Sequence, residues 1–248
     1  MRLALVVNPI AGMGGAVGLK GTDGPDTVAE AIRRGAVAHA GERAHRALSR
    51  VAARAPGTPI TVAPDDLGET WTANLDLEIT VADDFTRSGT ARDTKAAVGE
   101  MADAEVILFA GGDGTARDVA SVLGQNQALL GIPCGVKMHS GVFAVSPEAA
   151  GAMAADLITA PNRIDWDDSA EIMDVDEDAL RAGELAPRLF GFARAPVARN
   201  KMQAAKGGPR TNAMDALRGA AAEVAEKIEP GTLYIIGPGS SAGSVMRA

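Results

Sequence analysis

Short apolar runs alternate with longer amphipathic stretches through the first two-thirds of the chain, the pattern of βα units wound around a parallel sheet. The runs Arg2–Val7, Pro59–Ala63, Leu77–Ala82, Glu105–Ala110 and Leu129–Pro133 read as strands. Between them, helical periodicity predicts helices over Thr27–Arg34, Glu42–Arg54, Asp93–Met101 and Ala116–Leu123. Three of these open on a residue pair spaced as a capping box: Thr27 with Glu30, Thr90 with Asp93, and Thr115 with Asp118. Ser146-Pro147-Glu148 starts a further helix, running to about Ile158, with Pro in its favoured first position.

Near Pro161 the pattern changes. Ile164–Val175 and Leu189–Val197 read as strands of an antiparallel or mixed sheet, Asn212–Ile228 as a strong helix, and Thr232–Ile236 as a further buried strand. A domain boundary is expected here, with an α/β domain over 1–160 and a β-rich domain over 161–248. Val245–Ala248 reads as the first turn of a helix, which suggests a chain that originally continued and an incomplete second domain. No internal repeat or low-complexity tract is evident.

Composition changes this picture only at its edges. Of 248 residues, 46% are hydrophobic and 23% charged, an ordinary globular balance. Aromatics contribute only 3%, so the core packs through small and aliphatic side chains, as helix-on-sheet layers do. The balance of 24 basic against 32 acidic residues gives −8, which disfavours nucleic acid or an anionic membrane as the main partner. Small-molecule nucleotides stay open, because backbone N–H groups bind phosphate without help from global charge. The lone Cys134 can form neither an internal disulfide nor a thiolate metal cluster, and a cytoplasmic setting is the natural reading. No stretch approaches the roughly 18 apolar residues of a membrane span, and Leu3–Val7 is too short for a signal peptide. A homo-oligomer is left open.

Three glycine loops carry the candidate chemistry. In Phe109-Ala-Gly-Gly-Asp-Gly-Thr-Ala-Arg-Asp118 a strand delivers the chain into a turn of three glycines, where helix N-terminal N–H groups point into the same space. Gly111, Gly112 and Gly114 let backbone approach a ligand, with positive φ where needed, and Thr115 caps the helix. Asp113 lies too close to such phosphates to bind them well. It fits better as a base for an attacking hydroxyl, or as the group that orients it. The loop that comes first in chain order, which makes the Gly111–Thr115 loop the second, follows the first strand and begins Asn8-Pro-Ile-Ala-Gly12, continuing through Gly14 and Gly15 to Gly24. It fits neither the Walker nor the dinucleotide glycine spacing, so a binding loop and a flexible connector are both open. The third, Gly131-Ile-Pro-Cys-Gly-Val-Lys-Met-His-Ser-Gly-Val-Phe143, places Lys137 and His139 beside glycines, where they either meet phosphate oxygens or sit as ordinary loop residues.

Other features read more plainly. His39 and His45, with Arg43 and Arg46, form a solvated helix face, and Cys134 is a small buried hydrophobe. The acidic run from Asp165 to Asp178 fits no metal-loop spacing, so no metal ligand is assigned. Arg194, Arg199, Lys201, Lys206 and Arg210 are either a solvated cluster or part of an anion site.

With these loops in view, the chain resembles the NAD kinase superfamily, whose hallmark is the Gly-Gly-Asp-Gly-Thr loop at Gly111–Thr115. The opening Val7–Gly24 loop, Thr90-Ala-Arg-Asp-Thr-Lys95 and the extension to Val119 resemble its ATP-NAD kinase-like, or AcoX-like, subgroup. The resemblance implies a Rossmann-like N-terminal domain followed by a β-rich domain. It also implies transfer of the terminal phosphoryl of ATP to the 2′-hydroxyl of NAD, giving NADP. Asp113 would be the base or orienting carboxylate, Gly111, Gly112, Gly114 and Thr115 would hold phosphates, and Mg²⁺ would neutralise charge on the donor. A kinase of another small-molecule or lipid hydroxyl, and a non-catalytic nucleotide-binding regulatory module, are the alternatives.

Overall fold

In the computed structural model, residues 1–19, 24–135, 138–175, 187–198, 202, 221–222, 224–225, 227–228, 231–234 and 245–246 are described. The five apolar runs become parallel strands β1 (Leu3–Val7), β2 (Thr58–Val62), β3 (Leu77–Val81), β4 (Val106–Gly111) and β5 (Ala128–Pro133). The connecting helices are α1 (Met13–Ala16), α2 (Pro25–Arg33), α3 (Ala40–Arg54), α4 (Ala91–Glu100) and α5 (Asp113–Ala120); α6 (Pro147–Thr159) follows β5.

Alternation along each strand sorts the core into two layers. Leu3, Leu5 and Val7 of β1, with Leu108 of β4 and Leu130 of β5, face α3 and α6 through Ala44, Leu48, Met153 and Leu157. Ala4, Val6, Ile107, Phe109 and Leu129 face the opposite way, onto Val98 and Met101 beside α4 and Val119 of α5. Central strands buried on both faces therefore read as unbroken apolar runs, whereas β3 at the edge alternates.

After Pro161 the chain forms β6 (Asp165–Val175) and β7 (Pro187–Val197), an antiparallel pair with two irregularities in register. β7 also pairs in parallel with β5 at Ala128↔Arg194, so the pair extends the same sheet. Among the described residues the sheet has seven strands, in the order β3-β2-β1-β4-β5-β7-β6. The change of pattern at Pro161 thus marks where parallel pairing gives way to antiparallel pairing within one sheet. One compact unit spans Met1–Ala205, past the boundary expected at 160, and a second spans Lys206–Ala248. Of the helix expected to begin at Asn212, Ala221, Ala222, Val224 and Ala225 are described and helical; the part before Ala221 lies outside the described residues. Thr232, Leu233 and Tyr234 correct the expectation of a buried strand: they are exposed and not in strand conformation, while Ile235 and Ile236 lie outside the described residues.

Two of the capping assignments also change. Ser146 and Thr90 do cap α6 and α4, accepting from the N–H of Ala149 and Arg92. α2 instead starts after Gly24 with Pro25 in its first turn, and α5 starts after Gly112, which leaves Thr27 and Thr115 inside their helices. Pro fixes φ for a helix start, so Pro25 outcompetes the threonine two residues later.

Helices α3 and α6 approach through small residues. A Cβ on Gly151 would stand 2.0 Å from the carbonyl oxygen of Ala47. Gly151→Ala is expected to force the two helices apart and cost about 1–3 kcal/mol. Urea unfolding of the two proteins checks this, and an unchanged midpoint would mean that the helices separate freely.

Candidate functional site

The crossover from β1 leads to β2 on one side, and that from β4 leads to β5 on the other. Chains leaving neighbouring strands in opposite directions open a crevice at their carboxyl ends, where open α/β sheets bind ligands. Val7 pairs with Ala110, so the first two glycine loops emerge side by side. They are also bonded together. The N–H of Asn8 donates to the Ala110 carbonyl (2.9 Å), and its side-chain amide donates to Thr115 Oγ1 (2.9 Å). Gly12 adopts φ +82°, and a Cβ there would stand 2.0 Å from the Cys134 carbonyl oxygen, so the first loop also lies against the third. Gly14 and Gly15 follow in α1, Gly14 buried. Of the two readings left open for this stretch, a flexible connector does not fit its packing against the third loop at Gly12; Lys20 to Asp23 lie outside the described residues.

In the second loop the glycines serve close approach rather than positive φ, which none of the three adopts. A Cβ on Gly111 would collide with the Thr115 side chain at 2.4 Å. Gly112 precedes α5, and a Cβ there would meet nothing within 4 Å. The N–H groups of the first turn of α5 have no intrahelical acceptors, and beside them Gly112 leaves room for a ligand. Thr115 is buried, and its hydroxyl receives Asn8 instead of capping.

The third loop closes over this turn. Its near end is held by the Cys134 N–H on the Gly111 carbonyl (3.0 Å), and its far end folds back along β5 through Gly131 N–H to Val142 O (2.8 Å). Phe143 fills the space above Gly131 and meets Phe109 edge-on at 5.3 Å. Between these anchors the backbone presents two donors to Asp113. His139 N–H donates to Oδ2 (2.8 Å), and Ser140 N–H and hydroxyl donate to Oδ1 (2.9 and 2.7 Å). His139 thus reaches the site by its main chain, and Lys137 lies outside the described residues. Ser140 was present in the loop as a sequence, but only the fold reveals its contact with Asp113.

Ion pairs brace the surroundings. Arg117 of α5 pairs with Asp174 of β6 (2.8 Å) and lies over the Phe190 ring, and Lys95 of α4 pairs with Asp118 of α5 (3.0 Å). The face expected to be solvated on α3 divides. Arg43 turns inward to the Pro133 carbonyl (2.7 Å) and His45 pairs with the Trp71 carbonyl (2.9 Å), because half-buried polar groups must find partners. Burial pushes the Cys134 thiol up to about 12 despite the nearby Arg43 cation, so it is protonated at neutral pH. Arg194 pairs with Asp168 (3.1 Å) over the Trp166 ring, whereas Arg199, Lys201, Lys206 and Arg210 lie outside the described residues.

An open α/β sheet with glycine loops and an embedded carboxylate at its strand-order reversal has the architecture of a nucleotide-phosphate enzyme. Residues 3–162, more than half of the chain, match the family model of the ATP-NAD kinase N-terminal domain. The chain therefore belongs to the NAD kinase superfamily, a family of phosphotransferases. Comparison with curated proteins and with solved structures finds no match. No described helix is long and apolar enough to cross a membrane.

The Thr90–Lys95 segment holds a buried carboxylate, Asp93. Burial alone would push the Asp93 carboxyl up. Hydrogen bonds from the Ser88 hydroxyl (2.6 Å) and from Ser88 and Gly89 N–H (2.7 and 2.8 Å), with Arg87 at 3.9 Å, outweigh that and hold it below its ordinary value. A carboxyl depressed on folding stabilises the protein above its unfolded pKa, about 3.9, and the contribution is lost as pH falls through the folded value. Asp93→Asn should cost about 1–3 kcal/mol at neutral pH. Denaturation at several pH values should show this difference shrinking under acid, and a pH-independent difference would exclude a charged Asp93 as its source.

Proposed function

We propose that this protein transfers the terminal phosphoryl of ATP to the 2′-hydroxyl of the adenosine ribose of NAD, giving NADP. The observation that carries the reading is the Asp113 carboxylate at the mouth of the crevice, aimed by three hydrogen bonds. A carboxylate has about four lone-pair sites, and three are taken among the described residues, which leaves one on Oδ2. That site is suited to receive the acceptor hydroxyl and direct its oxygen at phosphorus. Phosphoryl transfer through a loose transition state needs positioning more than proton removal. Asp113 is accordingly assigned as an orienting carboxylate first and a proton acceptor second.

The phosphates would lie on the backbone of Gly111, Gly112 and Gly114, where the open space beside Gly112 fits them. The Thr115 hydroxyl, held from behind by Asn8, can give its own proton to a phosphate oxygen. Gly12, Gly14 and Gly15 of the first loop would flank the phosphates, and His139 of the third loop would hold Asp113 through its N–H. Among the described residues no group of three or more His, Cys, Asp or Glu could hold a metal ion. The Mg²⁺ used by this family would enter with the donor, on its phosphates, and supply charge neutralisation. The protein is assigned to the cytoplasm, acting on small-molecule nucleotides rather than on nucleic acid or membrane.

Incubation with ATP, Mg²⁺ and NAD tests the reaction. ATP consumed only with another alcohol would transfer the assignment to that hydroxyl, and binding without turnover would leave a nucleotide-binding regulatory module. Asp113→Asn tests the residue. Its amide must place an NH₂ against one of the donors now facing Asp113, so about 1–3 kcal/mol of stability should be lost. NADP formation should fall at least about 10²-fold while ATP affinity survives. Turnover at the wild-type rate by a folded, ATP-binding variant would overturn the role.

A further inference from the structure

Ser140 is 2% exposed, and its hydroxyl joins three segments of the chain. It lies 2.7 Å from Asp113 Oδ1 and 2.9 Å from the Met173 carbonyl oxygen on β6, and it accepts the Met173 N–H at 3.0 Å. A hydroxyl has one proton and two lone pairs. With Met173 N–H on a lone pair, the proton must go either to Asp113 or to the Met173 carbonyl. An ionised carboxylate is the stronger acceptor, so the proton points at Asp113 while that group is charged. If charge is drawn off Asp113 by the acceptor hydroxyl, rotation about one bond carries the proton to the Met173 carbonyl. In either arrangement Asp113 Oδ1 keeps the Ser140 N–H, so the carboxylate is never left without a donor on that oxygen.

We propose that Ser140 is the positioning residue of this site. It fixes the plane of the Asp113 carboxylate, so that Oδ2 faces the acceptor, and ties that plane to β6. The backbone N–H groups of His139 and Ser140 would hold any carboxylate; the hydroxyl adds the element that responds to its charge. This rests on the reading of Asp113 as the orienting carboxylate. Ionisable side chains on the elements packed around Asp113 include His139 in the clamp, Arg117 and Asp118 on α5, Arg92, Asp93, Lys95 and Glu100 on α4, Glu171 and Asp174 on β6, and Arg188 and Arg194 on β7. Ser140→Ala adds and removes no charge beside Asp113.

The test compares Ser140→Ala with the wild-type full chain in two measurements. The first is the kcat and KM of NADP formation. The second is the titration of the Asp113 carboxyl carbon by NMR. Loss of one charge-assisted hydrogen bond should lower kcat by about 10- to 100-fold with KM for ATP and NAD unchanged. The Asp113 carboxyl should titrate at higher pH in the variant than in the wild type, because a donor to the charged form is gone. If the alanine variant does not keep its fold, Ser140→Cys carries the same comparison with a weak donor in place of a strong one. An unmoved Asp113 titration overturns the proposal, as does a moved titration with unchanged kcat, or a fall in kcat matched by a rise in KM. Wild-type protein that makes no NADP sinks the choice of acceptor alone. Ser140 is then judged by the titration, where a shift supports its hold on Asp113 and no shift overturns it.

Discussion

The reversal of strand order between β1 and β4 is the constraint on which the site depends. Two neighbouring parallel strands send their chains to opposite sides, so the space above their carboxyl ends stays uncovered by their own helices. Register then brings Val7 and Ala110 level, and the two glycine loops meet at that height. Asn8 converts this proximity into a bond by reaching Thr115. The unbroken apolar character of the central strands is the other side of the same arrangement. Both faces are covered by helices, so the open edge at the strand ends is where polar groups can gather.

The parts of this arrangement that depend on local sequence were legible in it. Strand and helix positions followed from periodicity, Ser146 and Thr90 announced their helices, and the triple glycine around Asp113 marked the loop. Contacts that depend on where distant segments end up were not. Thr115 has the spacing of a cap, yet the Gly112 backbone starts the helix one turn earlier and the hydroxyl turns to Asn8, 107 residues away in sequence. Arg43 has the pattern of an exposed helix residue, but α3 ends up beside the carboxyl end of β5 and the Pro133 carbonyl captures it. The strands after Pro161 read as a separate layer because their pattern differs. Their main chain nevertheless finds an open edge on β5, and a hydrogen-bonding edge is blind to side-chain pattern.

The surroundings of Asp113 show a compromise between aim and reactivity. Every donor that holds the carboxylate in place also takes a lone pair and spreads its charge. A carboxylate clamped in this way makes a good template for a hydroxyl, and phosphoryl transfer asks for a template. The neighbouring ion pairs Arg117–Asp174 and Lys95–Asp118 keep their charges in register around it, joining α5 to β6 and to α4. The turn is thus supported on several sides by elements far apart in the chain.

The chain's one cysteine sits at the junction of the first and third loops, its thiol buried and protonated, with Gly12 pressed against its carbonyl. Because no other thiol competes, an alkylating reagent can mark the folded protein at one position only, and a labelling rate far below that of a free thiol would report how tightly this junction stays packed.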